Sequence, residues 1–197
     1  GLGLTVKQLD LAAVSAMQPK APMNIAGAYW YESDAHSTPE IFMKNLHTEL
    51  QNQGVAFMLE TEVTGFQKTN KQIAAVVTNK GTIAADEVVL ATGAWSEKLL
   101  KPLGIRLSIQ AGKGYRLNEE TETGIALPSI LLEAKVAVTP MQGFTRFAGT
   151  MEISGINHRI LPQRVAAIAK AAQQYYPQIE VSKKAMEAVQ CGLRPLS

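Results

Sequence analysis

The segment Glu87-Val88-Val89-Leu90-Ala91-Thr92-Gly93-Ala94-Trp95 constrains this chain more than any other stretch. A short, continuous apolar run suits a strand covered on both faces. The helical pattern from Trp95 to Leu103, closed by Gly104, follows at once, so the chain must turn from strand to helix through Gly93. A glycine at such a junction lets the backbone approach a ligand closely. A plain tight connection reads the same way, and the segment alone does not choose between them.

The other elements are punctuated by Gly and Pro. Asp10 caps a short helix that Pro19 and Pro22 end, Ile25 to Tyr31 reads as a strand, and Pro39 opens a helix whose apolar residues Ile41, Phe42, Leu46 and Leu50 repeat until Gly54. Residues 55–59, 62–68, 73–78 and 82–84 read as a meander of short strands with turns at Thr69-Asn70 and Asn79-Lys80-Gly81. Residues 107–117, 130–139 and 144–153 predict longer strands of an antiparallel sheet, and 164–176 and 183–189 predict helices. The pattern is that of an α+β protein, a mixed or antiparallel sheet with flanking helices. Three parts are expected: 1–55, leading into a first long helix; 56–106, around the constraining segment; and 107–197, the larger sheet.

With 197 residues, 46% hydrophobic and 18% charged, the chain can bury one substantial core and a smaller second lobe. A net charge of +2 gives no electrostatic footprint for nucleic acid. The single cysteine, Cys191, excludes an internal disulfide framework and a multi-cysteine zinc site, and fits a reducing compartment such as the cytoplasm. No apolar run reaches the roughly 20 residues of a membrane span. Peripheral contact with the inner membrane stays open. Gly1 at the start and a turn-like Cys191-Gly192-Leu193-Arg194-Pro195-Leu196-Ser197 at the finish read as cut ends.

Three pieces in order, residues 85–96, Leu99-Leu100-Lys101-Pro102-Leu103-Gly104-Ile105 and Gly112-Lys113-Gly114-Tyr115, resemble the D-amino-acid oxidase-like family of FAD-dependent oxidoreductases, which includes bacterial D-amino-acid dehydrogenases, glycine oxidases and sarcosine oxidases. Ala26-Gly27-Ala28, Glu62-Val63-Thr64-Gly65-Phe66, Gly149-Thr150-Met151-Glu152 and Gly192-Leu193-Arg194-Pro195 extend the likeness over nearly the whole chain. The family's N-terminal G-x-G-x-x-G strand, which receives the pyrophosphate, has no counterpart here. The resemblance therefore implies the interior of a longer flavoprotein, part of its FAD-binding domain together with a substrate domain.

The same resemblance implies roles for particular residues. Val63 would offer its backbone to the adenine end of FAD, and Ala91, Thr92, Gly93, Ala94 and Trp95 would pass close to the dinucleotide. Arg194 would anchor a substrate carboxylate, since a guanidinium fork matches that group with paired donors. Tyr115 would line the substrate side, with ring packing in a sheet as the alternative. The implied reaction removes a hydride from the carbon beside an amine of a small amino acid, and the imino acid left behind hydrolyses. The chain by itself, without the pyrophosphate cradle, is expected to hold FAD weakly and to be inactive. A glycine, sarcosine or 2-hydroxy-acid oxidase relative and a non-catalytic binding module remain as alternatives, and the electron acceptor, oxygen or a membrane quinone, and the oligomeric state stay open.

Departures from the family pattern bear on the substrate. Ala111 replaces a proline, and Val136-Ala137-Val138-Thr139-Pro140 lacks the tyrosine of a glycine-specific site, which favours a bulkier amino acid. His36 reads as a turn residue, His47 and His158 form no ligand set with it, and no metal site is expected. Cys191, without an evident histidine partner, reads as packing. The clusters Tyr29-Trp30-Tyr31 and Tyr175-Tyr176 read as core or interface aromatics.

Overall fold

A computed structural model describes residues 5–197. Residues 1–4, including the opening Gly1, lie outside the described residues. Chain contacts divide the described residues into two units that interleave in sequence: the first runs up to residue 39 and takes in 113–152 and 157–192, and the second takes in 40–112, 153–156 and 193–197.

The first unit begins with strand β1 (Val6–Asp10), helix α1 (Leu11–Met17) and strand β2 (Gly27–Tyr31), β2 pairing antiparallel with β1. Asp10 caps α1 as expected, its carboxylate accepting from the Ala13 amide at 2.8 Å. The second unit takes up helix α2 (Pro39–Asn52), which stops in a Schellman closure. Gly54 has φ +87°, and the Gly54 and Val55 amides donate to the Gln51 and Leu50 carbonyls at 3.0 and 2.9 Å. Strands β3 (Val63–Thr69), β4 (Gln72–Thr78) and β5 (Gly81–Ala84) follow as an antiparallel meander in the order β3-β4-β5. The tight β3–β4 turn places both Asn70 and Lys71 at positive φ, as a two-residue hairpin of matching twist demands.

Two expected strands of this unit do not form. Residues 55–59 carry no strand and leave Met58 and Leu59 54% and 69% exposed. Glu87 to Ala91 is likewise unpaired, with Val89 90% exposed. Apolar content is only half of what a strand needs; the other half is a neighbour for its amides and carbonyls, and no described residue supplies one. The helical stretch after it is correct in extent but broken in kind. A 3₁₀ turn (Gly93–Trp95), helix α3 (Ser96–Leu100) and a second 3₁₀ turn (Lys101–Leu103) run on to Gly104 at φ +78°.

The larger sheet has strands β6 (Gln110–Glu119), β7 (Ser129–Leu131), β8 (Val136–Met141), β9 (Phe144–Ile153) and β10 (Gln190–Leu196), in the order β10-β6-β9-β8-β7. The single strand expected over 130–139 folds back as the β7–β8 hairpin, with Lys135 at φ +54° in the turn and Leu131 paired to Val136. The turn-like finish is in fact β10, an edge strand, where Pro195 with its missing amide is tolerated. Helices α4 (Pro162–Tyr175) and α5 (Lys183–Glu187) complete the first unit.

That unit holds the core. Tyr115, Leu117, Val136, Val138 and Phe147 from the sheet pack with Val165, Ile168, Ala172 and Tyr176 from the α4 side. Gly149 allows the close packing, since a Cβ there would sit 3.1 Å from Ile168 Cγ1 and 3.1 Å from Val136 Cγ2. Buried polar groups here find partners in both backbone and side chains. Gln18 Oε1 accepts from the Ala126 and Leu127 amides, and the Tyr176 hydroxyl lies 2.9 Å from Ser129 Oγ.

Glu119, 2% exposed, caps the turn before α5, accepting from the Ser182 amide at 2.6 Å and the Thr121 amide at 3.0 Å. Burial works to raise its pKa, but the Ser182 and Thr121 donors together hold it below the usual carboxylate range. A carboxyl depressed in the folded state contributes stability above its unfolded pKa, about 4.3, and loses that contribution as pH falls through the folded value. Chemical unfolding from pH 6 to pH 2 should therefore show a stability loss at acid pH that Glu119→Gln flattens, at the cost of lower stability near neutrality. Equal acid slopes in the two proteins would refute the assignment.

Candidate functional site

Within the second unit, the constraining segment is an extended, unpaired run that turns sharply at Gly93. Gly93 has φ +54°, a conformation that side chains rarely adopt. The turn is closed by the Trp95 amide donating to the Thr92 carbonyl at 3.1 Å and by a 2.9 Å hydrogen bond between Thr92 Oγ1 and Ser96 Oγ. Ala94 is 4% exposed and fixes the turn from inside, whereas Ala91 and Trp95 are exposed and Thr92 and Gly93 half-buried. The corner at residues 91–93 is thus partly open to solvent and closed by hydrogen bonds on its inner side.

The residue just past the proposed carboxylate anchor lies against that corner. A Cβ on Gly93 would stand 3.9 Å from Pro195 Cδ. Two motifs a hundred positions apart in the sequence, read separately as cofactor-side and substrate-side, are therefore neighbours in space. Arg194 is exposed, and among the described residues no hydrogen bond or ion pair engages its guanidinium. Its donors are open to an external anion.

Val63 opens β3, paired with Thr78 across a bulged register. Because β3 is the edge of its sheet, one row of its amides and carbonyls has no strand partner among the described residues. Backbone recognition of a flat ring is chemically available there. An open cleft in the same unit is lined by Glu97, Lys101, Arg106, Gln110, Ile153 and Leu196, and its mixed charge selects no ligand by itself.

Tyr115 lies in the first unit and is 1% exposed. Its hydroxyl donates to Glu152 Oε2 at 2.7 Å and accepts from the Leu161 amide at 3.3 Å. Burial, and then the bond to Glu152, push its pKa above the ordinary value, so it remains a donor. Its ring packs in the core, and its surface is closed to solvent in this arrangement.

Beside it stands a residue that motif reading passed over. Lys113 is 1% exposed, and Nζ donates to Asn157 Oδ1 at 2.7 Å and to the Arg159 carbonyl at 2.8 Å, with Glu152 Oε1 at 3.1 Å. Its alternation with Tyr115 and Leu117 on the inward face of β6 was the available signal. Cys191, expected to lack a histidine partner, has one: Sγ lies 3.8 Å from His158 Nδ1. Thirty-three positions separate the two, a distance that no local pattern bridges. His36 is an exposed residue in the loop before α2, and His47 stacks on Phe57 with its buried Nε2 unpartnered among the described residues. No three described His, Cys, Asp or Glu residues could hold a metal ion, and no described helix is long and apolar enough to cross a membrane.

Comparison with known proteins identifies a family and a fold. The family model for FAD-dependent oxidoreductases of the DAO type matches residues 1–197. A D-amino acid dehydrogenase of Bradyrhizobium diazoefficiens is 31% identical over 175 residues, covering 87% of this chain and 41% of that protein. One from Helicobacter pylori is 30% identical, covering 97% of this chain and 46% of its own length. The crystal structure of glycine oxidase from Bacillus cereus superposes on 99% of this chain with a TM-score of 0.84 at 24% identity, using 53% of that structure. The chain thus spans under half the length of these curated relatives, and the structural likeness speaks to fold.

Proposed function

Because the chain belongs to the DAO family of FAD-dependent oxidoreductases, we propose that it is the substrate-side portion of an enzyme that oxidises D-amino acids. The observation that supports this reading is the approach of Pro195, the neighbour of Arg194 in β10, to the Gly93 corner, where a Cβ on Gly93 would stand 3.9 Å from Pro195 Cδ. The names of the curated relatives point to the same substrate class.

The residues present fit one side of the cofactor. The backbone of Ala91 to Gly93, with Ala94 and Trp95 continuing the corner, would run along the dinucleotide, and the free edge at Val63 would take its adenine. The pyrophosphate cradle would come from sequence outside this chain. Bound FAD supplies the acceptor for the two electrons and hydrogen that leave the α-carbon, and the resulting imino acid takes up water to give a keto acid and ammonia.

What the chain itself contributes is placement. Arg194 fixes the substrate by its carboxylate, so that the α-hydrogen always faces one way, and the strand holding Arg194 is kept in line by the Gly93 corner. Positioning of this kind converts a rare collision into a held geometry. Either oxygen or a quinone would serve as the final acceptor.

The test uses the full-length protein. Mixed without oxygen with a panel of D- and L-amino acids, glycine, sarcosine and 2-hydroxy acids, it should bleach its oxidised-flavin spectrum with several D-amino acids and leave the L-enantiomers untouched. Reduction by glycine alone would overturn the substrate class. A colourless full-length protein that cannot be loaded with FAD would overturn the enzyme reading in favour of a binding module.

A further inference from the structure

The proposed reaction makes no use of the buried ammonium of Lys113. Taking a charge out of water is costly, and buried ion pairs contribute little net stability, so the arrangement calls for a reason other than holding the fold together. Each of the three N–H bonds of Lys113 has an acceptor, from Glu152 on β9 and from Asn157 and Arg159 in the irregular stretch before α4. Glu152 is fixed in turn by the Tyr115 hydroxyl, and Asn157 Oδ1 also accepts from the Arg159 amide at 3.1 Å. One ammonium therefore organises a loop with no helix or strand of its own.

Two features show what is being organised. Thr150, two residues before Glu152, sits at φ +72°, a conformation unfavourable for a β-branched residue that persists only where its surroundings enforce it. Gly114, next to Lys113, runs alongside that corner, where a Cβ would make an ordinary contact of 3.6 Å with the Thr150 carbonyl. On the other side, His158 lies between the two pinned residues Asn157 and Arg159. Its Nδ1 and carbonyl oxygen stand 3.8 and 3.7 Å from Cys191 Sγ, near the beginning of the strand that carries Arg194.

We propose that Lys113 is a positioning residue for substrate binding: through Glu152, Asn157 and Arg159 it clamps the Thr150 corner and the His158 loop, and so sets the register of the Cys191–Arg194 strand. This rests on the reading of Arg194 as carboxylate anchor. The guanidinium is then placed by a cation about eighty positions earlier in sequence, which never touches the substrate.

Cys191 provides a reporter that needs neither substrate nor flavin. In Lys113→Met, maleimide labelling of Cys191, followed by mass spectrometry of the native protein, should run on the order of tenfold faster than in wild type. In the full-length enzyme KM for a D-amino acid should rise on the order of tenfold while kcat stays within about twofold, the signature of a displaced binding group. The double variant Lys113→Met, Glu152→Met removes the clamp without stranding a charge and should show the same two changes in a protein with native circular dichroism. Wild-type labelling rates in folded variants overturn the proposal, and so does an unchanged KM. Since labelling is read without flavin, loss of the clamp and failure of the functional reading give different results.

Discussion

Replacing Arg194 with Leu should raise KM for a D-amino acid by about a hundredfold or more in the full-length enzyme and leave kcat nearly unchanged. Truncating one partner of a paired charge costs about 2–5 kcal/mol. The carboxylate stays bound from the Michaelis complex through hydride loss, so its binding energy is spent almost equally on both states, and KM rather than kcat carries the loss. Arg194→Lys should recover only part of the affinity, because an ammonium keeps the charge but not the planar fork. Steady-state kinetics with one good substrate decides the matter. If Arg194→Leu keeps KM within threefold of wild type, the anchor is another residue and the Gly93–Pro195 contact is structural packing.

The second large effect concerns the cofactor. The 197-residue chain should bind FAD at least about a thousandfold more weakly than the full-length protein and turn over no substrate. Three amide hydrogen bonds to a charged pyrophosphate at about 1.5 kcal/mol each already amount to that ratio, and the G-x-G-x-x-G turn that would furnish them is absent from the sequence. On the proposed reading the Gly93 corner and the Val63 edge would supply backbone along the flanks of the cofactor but no cradle for its phosphates. Titration of flavin fluorescence against the chain and the full-length protein makes the comparison directly. Stoichiometric, tight FAD on the chain would mean that these flanks hold the cofactor by themselves.

How far the fold could be read in advance follows from the range of the forces involved. Helix α2 was legible to the residue, because Pro39 sets its first turn and Gly54 its left-handed closure, both local effects. The α1 cap at Asp10 and the end of the helical stretch at Gly104 were legible for the same reason. Strands were read less well. Glu87 to Ala91 has the composition of a buried strand and no partner to make it one, while Gln190 to Leu196 looks like a turn and becomes a strand because β6 lies beside it. Pairing is a property of two segments, and composition describes only one.

The site divides in the same way. The glycine at position 93 and the arginine at 194 announced themselves by residue type, but their adjacency through Pro195 did not. Lys113 sat inside a motif already singled out and was overlooked, since a lysine in a strand is ordinarily a solvent-facing residue. Its partners lie 39 to 46 positions away, and only the folded chain reveals that they converge.

The outward face of α2 has one more consequence. Ile41, Phe42 and Leu46 are 46%, 59% and 37% exposed on a helix without a fully buried residue, and Val89 is 90% exposed on the unpaired run. With a net charge of only +2 there is little mutual repulsion to keep such surfaces apart. The 197-residue chain by itself is therefore expected to self-associate in concentrated solution, and less so when charged residues replace these side chains or when low temperature weakens apolar attraction, which light scattering checks.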